Sequence, residues 1–415
     1  MTGFANAGRP SAEILAELDG LHAGDYDWRA GRLPLYMFSA TEEVQALGKA
    51  AFNAFFSENA LGARRAFPSL KRMEEEVVAM GLDLFHGADG EVGNMTTGGS
   101  ESIVMAVKAC RDFNRKRRND ASFRGNLVLP DSAHPAFDKA AAMMDLRIRR
   151  VPLTQDFIAD AAAMAKAADA ETIMMVGSVP SFSFGTIDPI DKLSAVCRER
   201  CIWLHVDACV GGWLAPFVSD LGRDVPRFDF AVEGVMSLSA DLHKFGFCPK
   251  PASTIFYRNA DLQACQEFAF DTWPSGRFAT QTLVGTRPGG AVASAWAVLN
   301  HLGRDGYRKI AVELMQMRDA YIANLAAIPG MKIRGRPNLT NIAFGSDDID
   351  MGKVASLMGE RGWLPGMVRR PPSLHLMLSL HHAGARDAYV ADLAACVAAV
   401  REGAMKVEAT RAAYS

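Results

Sequence analysis

The middle of the chain alternates short aliphatic runs with amphipathic helical patterns, and this alternation restricts the possible fold more than any other feature. The runs lie at residues 126–130, 172–179, 201–207, 230–237 and 252–257. Strands that alternate with helices along a chain pair in a mainly parallel sheet, with the connecting helices on its faces. The sequence therefore predicts an α/β domain whose strand ends share one edge, where ligands bind in such folds.

Three regions are predicted along the 415 residues. Residues 1–58 are interpreted as an N-terminal arm, and residues 59–300 as the large domain that carries the sheet. In the last region helical patterns dominate, with one strand expected near 339–344 and another near 374–380. Residues 301–415 are therefore predicted to form a smaller C-terminal α+β domain.

Three helix starts carry side chains suited to capping. Ser11 is placed to cap a short helix in the arm, and Thr41 begins an apolar-periodic stretch over residues 44–56. Asp188 is placed to cap a helix in the large domain, because Pro189 fits the first helical turn. These starts support the assignment of helices between the predicted strands.

The composition is that of an ordinary globular protein. With 45 Lys and Arg against 47 Asp and Glu, the formal charge of −2 creates no general field that would attract nucleic acid or an anionic membrane. The longest uncharged apolar run, residues 172–179, is far shorter than the about 20 residues of a membrane span. No secretory pattern opens the sequence, and seven scattered cysteines form no disulfide framework, so a cytoplasmic location is expected.

A pair of glycines precedes a predicted helix. Gly98, Gly99 and Ser100 open a segment whose apolar stripe runs over residues 103–110. Glycines allow the backbone to approach an anion closely, and free N–H groups together with the helix dipole favour a phosphate. Taken alone, the segment fits an ordinary loop and helix cap equally well, because Gly-Gly-Ser is common.

Three later side chains, each near a predicted strand end, suggest which ligand carries that phosphate. Lys244 and Asp207 supply a lysine for a Schiff base and a carboxylate for a pyridinium nitrogen, which are the two groups that pyridoxal phosphate (PLP) requires. His134 could stack on the pyridine ring. Each residue alone fits a structural role, as a surface lysine, a helix-capping aspartate or a hydrogen-bonded histidine. Their combination and order predict a PLP site.

The flanks of Lys244 predict burial, since an aliphatic strand precedes it and Phe245-Gly246-Phe247 follows. A lysine that forms an imine must lose its proton. We therefore expect a buried site beside other cations to lower the pKa of Lys244.

Six segments resemble the signature segments of the sphingosine-1-phosphate lyase family, which belongs to the group II decarboxylase-like PLP enzymes of fold type I. The resemblance implies a PLP-dependent transferase fold: a large domain with a mainly parallel mixed sheet flanked by helices, plus a small C-terminal α+β domain. The segments are residues 97–103, 133–141, 187–190, 206–209, 239–244 and 285–290.

The resemblance also implies a role for each residue of the site. Lys244, Asp207 and His134 are the implied catalytic residues. Thr286 would reach the cofactor phosphate of a second subunit, so the working unit would be a homodimer. The implied cofactor-binding residues are Gly98, Gly99, Ser100, His134, Asp207, His243, Lys244 and Thr286.

The sequence departs from the family pattern where the substrate would bind. Residues 59–68 lack the histidine that the lyases carry there, and the arm tyrosine aligns with Phe38, although Tyr36 lies close by. Lys250 is retained, whereas Arg370 follows Arg369 without a counterpart in the family. Tyr36, Lys250 and Arg370 are therefore the candidate substrate residues.

Three functions remain open at this stage. The first is a lyase that cleaves a Cα–Cβ bond of an amino alcohol or β-hydroxy amino substrate by retro-aldol chemistry. The second is an amino-acid decarboxylase, because His243-Lys244-Phe245-Gly246 also resembles the glutamate decarboxylase signature. The third is a non-catalytic protein with a PLP-enzyme fold. Retention of the glycine segment together with His134, Asp207 and Lys244 disfavours it.

Two other features predict no further ligand. The basic run at residues 111–118 is interpreted as a solvated helix end rather than a nucleic-acid site. His381-His382 has no Cys, Asp or Glu partner at metal-ligand spacing, so no metal is predicted.

Overall fold

A seven-stranded mixed sheet lies at the centre of the protein, in a computed structural model that describes residues 3–87, 90–403 and 408–413. The sequence-predicted run 126–130 is a strand with those bounds, whereas the run 230–237 becomes a strand only from Val235. The strands are β1 (Val92–Thr96), β2 (Asn126–Pro130), β3 (Arg147–Val151), β4 (Thr172–Ser178), β5 (Trp203–Asp207), β6 (Val235–Ala240) and β7 (Ser253–Tyr257).

The order across the sheet is β1-β7-β6-β5-β4-β2-β3, and β7 pairs antiparallel with both of its neighbours. The other pairs are parallel, so all strands except β7 run in one direction. Every residue of β2, β4 and β5 is buried, as expected for parallel strands that helices cover on both faces. The carboxyl ends of six strands consequently meet at one edge.

Helices cover the sheet and form the arm. In the arm, α2 packs along the long helix α10, where Ser294 Oγ donates a hydrogen bond to the Gly48 carbonyl at 2.8 Å. The helices are α1 (Ser11–Leu21), α2 (Glu42–Ala54), α3 (Pro68–Leu84), α4 (Gly99–Arg118), α5 (Ala136–Met144), α6 (Ala161–Ala167), α7 (Ile190–Arg200), α8 (Ala215–Asp220), α9 (Ala260–Ala264), α10 (Gly289–Ala327), α11 (Met351–Glu360) and α12 (Arg386–Arg401).

A four-stranded sheet in the order β10-β11-β13-β12 forms the C-terminal part, and a separate hairpin precedes α10. Both strands predicted near residues 339–344 and 374–380 are present, as β11 and β13. The strands are β8 (Phe268–Phe270), β9 (Phe278–Thr280), β10 (Lys332–Ile333), β11 (Asn341–Gly345), β12 (Gly366–Val368) and β13 (Ser373–Met377).

The domain boundaries stay predictions. Helix α10 runs across the proposed border between residues 300 and 301, and it contains one non-helical residue, Gly303, at φ 53° and ψ −174°. Gly303 therefore divides α10 into a part that packs with the arm and a part that continues toward the C-terminal sheet.

Of the three predicted helix caps, one forms. Thr41 Oγ1 accepts the Val44 N–H at 3.2 Å, but Ser11 is already the first residue of α1. Asp188 lies two residues before α7 and does not cap it. Its carboxylate instead accepts the N–H groups of Ala159 at 2.7 Å and Ser178 at 2.8 Å, and burial raises its pKa to about 6. The backbone amides at the end of β4 and before α6 thus compete successfully for this side chain.

Candidate active site

The carboxyl edge of the sheet borders a cavity of about 380 Å³. Ligands bind at this edge in open α/β sheets because the loops that follow parallel strands meet there. Seven of the eight predicted cofactor residues line the cavity, and Thr286 does not. The seven are Gly98, Gly99, Ser100, His134, Asp207, His243 and Lys244.

Lys244 contacts a carboxylate to which the sequence analysis gave no role. Its Nζ lies 3.0 Å from Oδ2 of Asp241, a buried residue three positions earlier. Burial alone would lower the pKa of Lys244, but the negative charges of Asp241 and Asp207 outweigh it and the pKa is raised. The expectation of a lowered lysine pKa is wrong, because its dominant charged neighbours are acids.

Asp241 is held by three side chains. Ser253 Oγ donates a hydrogen bond to Oδ1 at 2.5 Å, while His243 Nε2 lies 3.5 Å from Oδ2. Burial acts to raise the pKa of Asp241, but Lys244, His243 and the hydrogen bond from Ser253 lower it overall. The carboxylate therefore remains charged beside the lysine.

Asp207 is the last residue of β5, and its side chain lies on the same face of the strand as the buried His205. Its Oδ1 accepts the Cys209 N–H at 3.1 Å. Two residues earlier, the His205 ring lies 2.7 Å from Ser237 Oγ through Nδ1 and 3.2 Å from Ser239 Oγ through Nε2. Burial lowers the pKa of His205 to about 4, although Asp207 opposes this shift. The imidazole two residues before Asp207 is therefore neutral and hydrogen-bonded through both ring nitrogens.

Backbone amides fix the rings of the two cavity histidines. The Ala136 N–H donates to His134 Nδ1 at 3.1 Å, and the Ala252 N–H donates to His243 Nδ1 at 3.3 Å. Burial is the main cause that lowers the pKa of both rings, and the positive charge of Lys244 acts in the same direction. Because Nδ1 accepts in both rings, the neutral form of each ring carries its proton on Nε2.

The glycine loop is constrained by the residues behind it. A Cβ at Gly99 would lie 2.8 Å from Asp241 Oδ2 and 2.8 Å from Cys209 Sγ, whereas a Cβ at Gly98 would meet only His243 Cε1 at 3.6 Å. Helix α4 begins at Gly99, so its first N–H groups face the cavity region. Glycine is therefore required at position 99 to keep the start of α4 close to Asp241.

These residues fit PLP. The start of α4 offers N–H groups to a phosphate, Asp207 offers a carboxylate to a pyridine nitrogen, and Lys244 offers an amine. Among the described residues, the buried Ser132 Oγ lines the same cavity without a hydrogen-bond partner. A polar ligand would supply the partner that Ser132 lacks.

Thr286 lies outside the cavity, on an exposed segment between β9 and α10. Its Oγ1 accepts a hydrogen bond from Asn59 Nδ2 at 3.2 Å. The next side chain, Arg287, turns inward and places Nη1 and Nη2 at 2.9 and 3.1 Å from the two carboxylate oxygens of Glu74. Gly285 and Arg287 border a second cleft of about 460 Å³. The contact of Thr286 with a second subunit stays a prediction.

The candidate substrate residues are not among those that line the cavity. Lys250 is exposed six residues after Lys244, and partial burial and the charge of Lys244 both lower its pKa. Arg370 is exposed in the connection between β12 and β13, and Tyr36 is exposed in the arm at φ 63°. Arg64 borders the second cleft. The role of Lys250, Arg370 and Tyr36 in substrate binding stays a prediction.

Sequence reasoning missed several residues of the cavity. Asp241 had a usable signal, because a carboxylate three positions before a Schiff-base lysine can reach the amine. Glu101 had a weaker one, as an acidic residue in the first turn of α4. The remaining missed residues are Thr97, Ile103, Ser132, Ser178, Pro180, Phe182, Cys209 and Val210.

Comparison with known proteins places these features in a family. The family described as "Pyridoxal-dependent decarboxylase conserved domain" matches residues 51–346. A sphingosine-1-phosphate lyase from Oryza sativa subsp. japonica is 36% identical over 410 residues, which are 97% of this chain and 75% of that protein. A probable L-tyrosine/L-aspartate decarboxylase from Methanothermobacter thermautotrophicus is 32% identical over 326 residues, 79% of this chain and 87% of that protein.

A solved structure extends the similarity to the fold. The sphingosine-1-phosphate lyase of Burkholderia pseudomallei K96243 superposes with a TM-score of 0.92 at 36% sequence identity, covering 97% of this chain and 94% of that chain. The similarity confirms the predicted fold type I architecture. Across three eukaryotic lyases, the chain spans 62% to 75% of the relative's length.

In the described part of the chain, every helix is too short or too polar to cross a bilayer. Within residues 3–87, 90–403 and 408–413, no three His, Cys, Asp or Glu side chains cluster as metal ligands would.

Proposed function

Because the chain belongs to the pyridoxal-dependent decarboxylase family and is a PLP-dependent lyase, we propose that it cleaves the Cα–Cβ bond of an amino alcohol or β-hydroxy amino substrate. The β-hydroxyl group loses its proton, the Cα–Cβ bond breaks, an aldehyde leaves, and Cα gains a proton. The observation that carries the proposal is the cavity in which Lys244, Asp207 and His134 meet the glycine loop. The similarity to lyases over nearly the whole chain favours this bond.

Each residue of the cavity has a defined task in this proposal. The N–H groups at the start of α4, in Gly98–Ser100, bind the phosphate of PLP, with His243 beside them. Asp207, fixed by the Cys209 N–H, would hold the proton on the pyridine nitrogen, and His134, fixed by the Ala136 N–H, would pack against the ring. When bound, PLP withdraws electrons from a bond at the amine-bearing carbon of the substrate.

Lys244 attaches the cofactor, and Asp241 controls the proton on the free lysine. At 3.0 Å, Asp241 stabilises the Nζ ammonium whenever the lysine is not covalently attached. Lys244 must lose a proton before its amine can bond to carbon, and the Asp241 carboxylate, 3.0 Å away, would be an acceptor within reach.

The substrate is proposed to be a small anionic amine rather than a long-chain sphingoid phosphate. The names of the relatives point to sphingosine 1-phosphate, which supports a phosphorylated amino alcohol. However, residues 59–68 lack a histidine and the arm presents Phe38, so the expected phosphate contacts differ. Lys250, six residues after Lys244, and Arg370 are the cations proposed to bind the anion.

The working unit is proposed to be a homodimer in which Thr286 completes the neighbouring site. The exposed side chains of Leu61, Leu283 and Val284, close to the second cleft, support an interface on this side of the molecule. Seven free cysteines, five of them buried, support a reducing compartment such as the cytoplasm.

Decarboxylation is the second candidate, supported by the archaeal decarboxylase that matches 79% of this chain. The cavity residues serve both reactions, because PLP activates whichever bond the protein holds perpendicular to the ring. In this alternative, Arg370 would bind the substrate carboxylate.

One experiment separates these functions. Purified protein is loaded with PLP, reduced with borohydride and mapped by mass spectrometry, and turnover of β-hydroxy amines and amino acids is followed with separate detection of aldehyde and carbon dioxide. Aldehyde release with the cofactor on Lys244 supports the lyase. Carbon dioxide release supports the decarboxylase, and the absence of a trapped cofactor would leave only the non-catalytic protein.

A further inference from the structure

Glu101 is a buried carboxylate that joins two separate loops. It lies in the first turn of α4 and is only 6% exposed. Its Oε2 accepts both the N–H and the hydroxyl of Thr97 at 2.6 Å. Its Oε1 accepts the N–H groups of Leu283 at 2.8 Å and Val284 at 3.2 Å. Each oxygen thus serves a different segment of the chain.

The first segment is the glycine loop. Thr97 directly precedes Gly98, whose carbonyl accepts the Ser102 N–H at 3.0 Å as α4 begins. An anion bound at the first N–H groups of α4 therefore lies one residue from the Thr97 contact. Any movement of this loop on anion binding displaces the donors to Glu101 Oε2.

The second segment, residues 281–287, faces outward. Leu283 is 55% exposed and Val284 is 39% exposed, so little apolar packing holds them. At its far end the segment is fixed by Arg287, through Glu74 and through the bond from the Arg287 N–H to Asn59 Oδ1 at 3.3 Å. At the near end, the Glu101 carboxylate fixes Leu283, which lies three residues before Thr286.

We propose that Glu101 is a positioning residue that couples occupancy of the glycine loop to the order of residues 281–287. The inference rests on the proposed function, since the anion is taken to be the PLP phosphate and Thr286 to reach a second subunit. Loading one site would then order the segment that completes the neighbouring site. By linkage, ordering this segment must tighten cofactor binding in its own chain to the same degree.

Hydrogen–deuterium exchange tests the coupling directly. In the wild-type protein, saturating PLP should slow hydrogen exchange of the Leu283 and Val284 amides by about tenfold. The reason is that the amides of a hydrogen-bonded segment exchange more slowly when the segment opens less often. Inorganic phosphate without the pyridine ring should give part of the same slowing. In Glu101→Gln, one oxygen becomes an NH₂ group that cannot accept, so the slowing should disappear while PLP can still be trapped on Lys244.

The matched control is Glu75→Gln, which removes an exposed carboxylate of α3 that pairs with Lys71 at 3.2 Å. This variant should retain the PLP-dependent slowing. Unchanged exchange of Leu283 and Val284 in wild-type protein that has bound PLP overturns the proposal, and it does so even if Glu101→Gln does not fold. Wild-type slowing that persists in Glu101→Gln overturns it as well. Failure to trap PLP on Lys244 in the wild type contradicts the proposed function instead.

Discussion

The cofactor cavity and the proposed substrate residues differ in how each side chain is held. In the cavity, Lys244 has Asp241, Asp207 has the Cys209 N–H, and His134 has the Ala136 N–H. The candidate substrate residues lie on loops at the surface, as Arg370 and Tyr36 do. Cofactor chemistry needs fixed geometry and therefore leaves a dense pattern in sequence, whereas substrate choice depends on a few exposed side chains that can change independently.

The same comparison separates two kinds of charge. The cavity balances Lys244 against Asp241 and Asp207 within a buried space, so the removal of one partner leaves an uncompensated charge. Exposed cations such as Arg370 are screened by water and lose little when unpaired. Substitutions in the two regions should therefore differ greatly in effect.

The largest effect is expected at Lys244, the proposed attachment lysine. Lys244→Ala should lower turnover by about a thousandfold or more, because no other amine would hold the cofactor at this position. The borohydride-trapped cofactor should disappear in Lys244→Ala and remain in Lys250→Ala, as measured by peptide mass spectrometry. Trapping of PLP on any other lysine of the wild-type protein would contradict the assignment.

The next effect tests whether the cavity is complete within one chain. Lys244→Ala subunits mixed and re-associated with inactive Thr286→Ala subunits should regain about a quarter of wild-type activity. The reason is that half of the dimers are mixed and each mixed dimer contains one intact site. Activity is compared with that of each variant alone. A fully active wild-type monomer in sedimentation measurements would be incompatible with a shared site.

Acid should destabilise the folded protein around β5 through His205. Its folded pKa of about 4 lies below the ordinary value of 6.5, so the stabilisation is present above pH 6.5 and is lost as pH falls toward 4. The shift corresponds to about 3 kcal/mol, or a hundredfold in the folding equilibrium. Thermal unfolding between pH 7 and 4.5 should show a smaller decrease in Tm for His205→Gln than for wild type.

The exposed arm residue His22 provides the control, because its side chain is 80% exposed and pairs only with Asp25. His22→Gln should follow the wild-type pH dependence. Identical acid sensitivity of His205→Gln and the wild type would show that other groups dominate the decrease.

A matched pair of glycines tests how closely the glycine loop packs against the residues behind it. Gly99→Ala should raise the Kd for PLP by about thirtyfold, since its new methyl group would overlap Asp241 and Cys209 at a cost of about 2 kcal/mol. Gly98→Ala should have a smaller effect, because only His243 lies within 4 Å of the added carbon. Titration of the apoprotein by absorbance measures both. A larger effect at Gly98 would reverse the inferred geometry.

Much of this architecture could be predicted because strand and cofactor signals coincide. The strand at residues 126–130 is apolar after Asn126, and β5 is a largely apolar run that ends at Asp207. By contrast, β1 reads Val-Gly-Asn-Met-Thr and β3 reads Arg-Ile-Arg-Arg-Val, which carry little strand propensity. Pairing with β7 and β2 makes them strands, and only the folded sheet supplies those partners.

The roles of Asp241, Glu101 and Asp188 show a similar limit within the site. A carboxylate near a helix start can cap that helix, bind a cation or tie down a loop, and the choice depends on donors far away in sequence. Asp188 meets the Ala159 N–H, and Glu101 meets the N–H groups of residues 283 and 284. The residues around Asp188 in sequence do not indicate which distant donors it meets in the fold. The predicted cap at Asp188 was wrong for this reason.

The smallest expected effect lies at Arg370, where the comparison with the buried cavity is sharpest. A guanidinium can bind a carboxylate or phosphate through two parallel hydrogen bonds, and loss of a charged hydrogen bond costs about 1.5–3 kcal/mol. Arg370→Ala should therefore raise KM for the best anionic substrate about tenfold with little change in kcat, the signature of lost ground-state binding. Arg64→Ala, in the second cleft, is the matched control. Unchanged KM in Arg370→Ala would remove this residue from the substrate site and leave Lys250 as the candidate cation for the anion.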